Sequence, residues 1–184
     1  MNRARRLSAK FLLAVTAAVG IMAALPYAIR HSGFVINYSD SVRPVLFFRT
    51  ADAHAPYIAF CAPAAADSAL LQAAFAQLPH GDCPGGRPPL LKPFIEASAA
   101  HPLIFDAKGF TFDNRLLPNT APKPMSRFGT RLTHYPFGRY SSGIWPISTD
   151  SRDSYDARYF GPIAFTAIRY RATAVLGGSR AHAQ

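Results

Sequence analysis

The first pattern along the chain is an uninterrupted apolar run. Residues 11–29, FLLAVTAAVGIMAALPYAI, contain no charged side chain, and Arg3, Arg5, Arg6 and Lys10 precede them without an acid among residues 1–10. A helix of that length extends roughly 28 Å at 1.5 Å per residue, close to the hydrocarbon thickness of a bilayer. A cleavable signal peptide has a shorter apolar core. The pattern therefore predicts a single transmembrane signal-anchor over 11–29, with 1–10 as a cytoplasmic basic segment and the rest exported. Beyond residue 30 the hydrophobicity breaks into short pieces. FVIN (34–37), PVLFFR (44–49), PYIAFC (56–61) and PLLKPFIE (89–96) read as strands, and IFDAKGFTF (104–112) as a hairpin turning at Gly109. Asp113 and Asn114 form a second turn before RLLPN; GIWPIS supplies a further short strand, and the run 159–176, YFGPIAFTAIRYRATAVL, closes the domain. One stretch differs: Leu70, Leu71, Ala74, Phe75 and Leu78 repeat at helical spacing, with Asp67 as a candidate N-cap. Short strands, Gly/Pro turns and one short helix predict a mainly-β, barrel-like domain over 30–176, followed by a flexible tail, 177–184.

Composition narrows the function. Hydrophobic residues make up 49% of the chain and charged residues 16%, which excludes intrinsic disorder. The 20 basic residues outnumber 10 acidic ones, which first suggests nucleic acid. Four of them flank the anchor, however, and no zinc-finger, helix-turn-helix or RNP-like pattern is present. A positive outer domain suits an anionic lipid surface instead, and no nucleic-acid partner is expected. Cys61 and Cys83 are the only cysteines. In an oxidising compartment that even count reads as one disulfide, and no C-x-x-C redox pair is present. The six histidines are scattered without metal-type spacing, so neither a metal nor a cofactor is expected.

Three places carry possible chemistry. Ser39 and Ser41 stand two apart in the turn 37–44, NYSDSVRP. Such a turn is ordinary if its serines only hydrogen-bond locally; as a nucleophile, Ser41 needs an adjacent base. Lys92 sits in PPLLKPF, among apolar neighbours, in a chain with 16 Arg and only four Lys. Its amine either snorkels to solvent or is buried. Burial lowers its pKa toward neutrality, and the neutral amine then accepts a proton from a serine hydroxyl, which Arg cannot do. The third place is SYDARYFGP, 154–162. There Ser154 can reach the lysine amine, and Asp156 and Arg158 at i, i+2 of an extended stretch pair on one side.

Together these boxes resemble the signal peptidase I superfamily. Ser39-x-Ser41-Val-x-Pro44-x-Leu46 is similar to its nucleophile box, PLLKPF to its lysine box, and SYDARYFGP to its S-x-D-S-R-Y-[WF]-G box, in the family's order and behind an N-terminal anchor. Asn37, PYIAFCAP, GDCPGG directly before PLLK, GFTFDNRLLPN and RYFGPI resemble one branch, the TraF-type conjugative-transfer signal peptidases. Arg43, Val45, Pro93 and the stretch 96–101 depart from that branch's usual pattern. The resemblance implies a signal-peptidase-like β-barrel domain in the periplasm, held by a single pass in the bacterial inner membrane. It implies a serine endopeptidase with Ser41 as nucleophile and Lys92 as general base. Ser39 and the Ser41 backbone N–H would form the oxyanion hole; Ser154, Asp156 and Arg158 would support it. The implied partner is a pilin precursor or other exported polypeptide, cleaved and in some members cyclised. A general leader peptidase and a non-catalytic anchored subunit of a secretion or pilus apparatus are the alternatives.

Overall fold

The computed structural model describes residues 11, 13–24, 32–66, 69–76, 78 and 80–176. The chain divides into two units, Met1–Val35 and Ile36–Gln184. In the first, residues 11 and 13–24 are helical and exposed. The basic segment 1–10, positions 12 and 25–29 of the expected anchor, and the tail 177–184 lie outside the described residues. Among the described residues no helix is long and apolar enough to cross a membrane.

The second unit is mainly β, as the short apolar runs predict. β1 (Phe34–Ile36) spans the boundary of the units. β2 (Leu46–Thr50), β3 (Tyr57–Phe60) and β4 (Leu90–Glu96) follow, then β5 (Leu103–Asp106), β6 (Gly109–Phe112), β7 (Arg115–Leu116), β8 (Gly138–Tyr140), β9 (Ile144–Pro146) and β10 (Ile168–Leu176). One sheet contains the order β2-β10-β3-β4-β9 and the other is β7-β6-β5-β8. The C-terminal strand β10 thus lies between two early strands, antiparallel to both, and Ala172 faces Arg49 on β2 and Tyr57 on β3. Among the described residues the barrel expected from the sequence is not formed: both sheets are open. Apart from β4 and β10 the strands are only two to five residues long, and the strand order of neither sheet returns on itself.

Local chemistry sets the turns. Gly109 has φ +123, and a Cβ there would lie 2.4 Å from Thr120 Oγ1. That hydroxyl accepts the Phe110 N–H (2.9 Å) and donates to the Leu117 carbonyl (2.8 Å), so the hairpin is clamped from behind. Asp113 and Asn114 both take positive φ, as a two-residue hairpin turn requires. The predicted helix is shorter than its apolar spacing, covering Ala69–Phe75, with a separate 3-10 turn at Ala64–Ala66. Asp67 lies outside the described residues. Leu71 from this helix joins a core built on Ile58, Phe60, Phe105, Phe110 and Trp145. Phe105 stacks on Phe110 at 4.3 Å between centroids, and Phe110 meets Trp145 edge-on at 5.9 Å. These rings join the β5–β6 hairpin to β9, and each buried aromatic contributes on the order of 2–3 kcal/mol.

Candidate active site

β4 carries the lysine to the interior. Through 90–93 it pairs with β3, Lys92 opposite Ile58; through 94–96 it pairs with β9, Phe94 opposite Pro146. Pro93, which has no N–H to give a ladder, stands where β4 changes partner, and its carbonyl accepts the Ile147 N–H at 3.0 Å. Lys92 is therefore on a central strand beside a fully buried neighbour and is only 3% exposed. It does not snorkel. Its Nζ donates to Ser154 Oγ at 3.0 Å. Desolvation by burial pushes the amine down from its ordinary 10.5 to about 8. The Arg158 charge acts in the same direction, and the carboxylates of Asp156 and Asp150 oppose it.

The third box folds differently from its expected extended stretch. Asp156 caps a short helical turn, Ala157–Phe160, and accepts the Arg158 N–H at 3.1 Å. The cap bends Arg158 back onto the same carboxylate: Nε reaches Oδ1 at 2.8 Å and Nη2 reaches Oδ2 at 3.0 Å. Both residues are fully buried. Desolvation alone would lower the Arg158 pKa, and the Asp156 carboxylate more than offsets it, so the guanidinium is held raised. Arg158 also donates to the carbonyls of Ser154 (2.7 Å) and Asn119 (2.8 Å), fixing the backbone that presents Ser154 to Lys92.

The serine turn is held by Asn37. Its Nδ2 lies 2.8–3.2 Å from the carbonyls of Ser39, Val42 and Pro44, and its Oδ1 accepts the Ser39 N–H. The Ser41 N–H donates to Ser39 Oγ at 3.1 Å. In this arrangement that N–H is turned onto Ser39 rather than standing free beside the Ser39 hydroxyl. The turn borders an open cavity of about 330 Å³ whose lining includes Ser39, Val42 and Val45. Among the described residues, no hydrogen bond runs directly from Lys92 to Ser41; the lysine bond goes to Ser154.

What joins the two halves is a segment the sequence does not single out. Ser148 is fully buried just after β9. Its N–H donates to Asp156 Oδ2 at 3.0 Å, and its hydroxyl donates to the Ser41 carbonyl. Two residues on, Asp150 Oδ2 accepts the Arg43 N–H at 3.0 Å. A serine after a strand and an aspartate in a turn are ordinary locally, so no sequence signal distinguishes them. Cys61 and Cys83 form the disulfide expected of them.

The arrangement offers a buried, partly deprotonated amine with a fixed hydrogen-bond partner, a serine turn anchored to the same buried ion pair, and an open cavity alongside. A neutral amine so placed can accept a proton. No family model matches the chain, and no solved structure matches it. It is 30% identical over 173 residues to the plasmid transfer protein TraF of Escherichia coli, covering 90% of this chain and 92% of that protein. With identity at that level across nearly the full length of both, the chain belongs to the TraF plasmid-transfer protein family.

Proposed function

We propose that this protein is a membrane-anchored serine endopeptidase of the signal peptidase type, maturing an exported pilin precursor in conjugative plasmid transfer. The observation that carries this reading is the buried Lys92 amine, held by Ser154 with its pKa lowered to about 8. A structural lysine gains nothing from such a place, because burying an ammonium is costly. A general base does, since its pKa then approaches the working pH. At pH 7 about one molecule in ten carries the neutral amine. One of its hydrogens is committed to Ser154, which leaves the lone pair oriented.

In the proposed reaction Ser41 Oγ attacks the scissile carbonyl carbon while Lys92 Nζ takes the hydroxyl proton. The Ser39 hydroxyl, which accepts from the Ser41 N–H and keeps its own hydrogen, donates to the developing oxyanion. Collapse of the tetrahedral intermediate breaks the C–N bond. Lys92 returns its proton to the departing amine, leaving an ester on Ser41. Water, or a substrate amine where the product is cyclised, then attacks that ester and releases the serine. Bonds between catalytic groups commonly tighten only with substrate in place, and the Ser41–Lys92 contact is expected to form then. The disulfide and the apolar segment 11–29 support a periplasmic domain on an inner-membrane anchor.

The test is mass spectrometry of the pilin precursor from the same transfer system, co-produced with the full chain. The wild-type chain is expected to yield shortened pilin, whereas Ser41→Ala and Lys92→Arg leave the precursor intact. Equal processing by wild type and Ser41→Ala overturns the reading.

A further inference from the structure

The turn that carries Ser41 owes its shape to itself and its position to something else. Asn37 and Ser39 bond only within 37–45, so they set the local conformation but not where the turn stands relative to β4. Among the described residues, the side chains of Val42 and Pro44 in the turn are buried, and three polar contacts reach outward from it. The Arg127–Asp40 pair joins side chains that are 52% and 78% exposed, and a solvent-screened pair of that kind constrains little. The other two come from the segment after β9: the Ser148 hydroxyl on the Ser41 carbonyl, and Asp150 on the Arg43 N–H. Ser148 is fully buried, where a hydroxyl persists only if its bonding is satisfied. It meets that condition by donating to Ser41 while its oxygen accepts the Asp150 N–H at 3.3 Å.

The same segment also positions the lysine. Ser148 N–H bonds Asp156, Asp156 grips Arg158, Arg158 holds the Ser154 carbonyl, and Ser154 Oγ receives Lys92. A continuous hydrogen-bonded path thus runs from the peptide unit of Ser41 to the amine of Lys92, through one loop. We infer that Ser148 is the positioning residue that sets the nucleophile against its base, its hydroxyl tethering the Ser41 carbonyl to the buried ion pair that also orients Lys92. The inference rests on the peptidase reading and adds to it a residue that touches neither substrate nor the reacting atoms. Misplacement of a reacting group by about 1 Å costs on the order of 100-fold in rate.

The experiment compares the full-length wild type with Ser148→Val, Ser148→Ala and Ser148→Thr, and with Ser41→Ala as the inactive control. Processing of the pilin precursor gives kcat, KM and the pH midpoint; hydrogen–deuterium exchange gives the protection of 37–45. Val and Ala, one keeping bulk and the other removing it, are expected to lower kcat about 10- to 100-fold with KM within about twofold. The pH midpoint stays near 8, because Lys92 keeps its burial and Ser154. Exchange at 37–45 quickens, and Thr restores both kcat and protection. Wild-type kcat in both Val and Ala overturns the inference, as does a Thr variant as impaired as Val. A kcat loss with a displaced midpoint overturns it too, since Ser148 would then act on the lysine. Failure of the peptidase reading looks different: wild type and Ser41→Ala process alike. Exchange then decides the tether by itself, faster exchange in Val and Ala supporting it and unchanged exchange refuting it.

Discussion

Replacing Lys92 with Met separates what the residue does for stability from what it does for chemistry. The two chains have similar volume, and Met puts no charge into the interior. Burial lowers the lysine from 10.5 to about 8, and at 1.36 kcal/mol per unit this is about 3 kcal/mol of disfavour toward the ammonium. Below pH 8 the lysine is protonated in both folded and unfolded chains, and the whole cost is present. Between about 8 and 10.5 the unfolded chain binds more protons, so wild-type stability rises with pH across that window. Above it both states are neutral and the cost is gone. Met removes the cost at every pH but forfeits the bond to Ser154, about 1 kcal/mol. Lys92→Met is therefore expected to be about 2 kcal/mol more stable than wild type at pH 7, with the advantage vanishing near pH 10, and to process no precursor. Urea unfolding of both chains at the two pH values, with matched urea slopes, measures this. A Met variant no more stable at pH 7, or a difference equal at both pH values, refutes the buried-ammonium argument.

The ion pair and the disulfide make further predictions. Asp156→Ala leaves the fully buried Arg158 charge without its carboxylate and strips the Ser148 N–H of its acceptor. It should destabilise the domain by about 3–5 kcal/mol, seen as a large drop in the thermal midpoint; a drop of a few degrees or less contradicts the assigned burial. Reducing Cys61–Cys83, which closes a loop of sequence separation 22, should cost about 2–4 kcal/mol. Thermal melts with and without reductant check it, and coincident melts refute it.

Much of this protein was legible because its signals are local. The alternation in 104–112, the positive-φ turn residues after it and the short apolar runs belong to neighbouring positions, and strands β2 to β6 fall on them with ends shifted by only a residue or two. The scarcity of lysine singled out Lys92 without any structure, because only an amine, and not a guanidinium, can exchange a proton at neutral pH. Tertiary structure decided the rest, where the outcome depended on partners far along the chain. Strand length alone does not say whether sheets close, and the C-terminal strand's insertion between β2 and β3 is invisible in its residues. Asp156 and Arg158 were expected to pair on an extended segment, whereas an N-cap and a helical turn bring them together. Ser148 carries no signal at all, since a serine becomes a tether only when a carbonyl 107 residues away arrives beside it. The sequence by itself determined which side chains have the chemistry for the proposed reaction. Only the packed interior decided the lysine's charge, because desolvation is a property of everything that surrounds it.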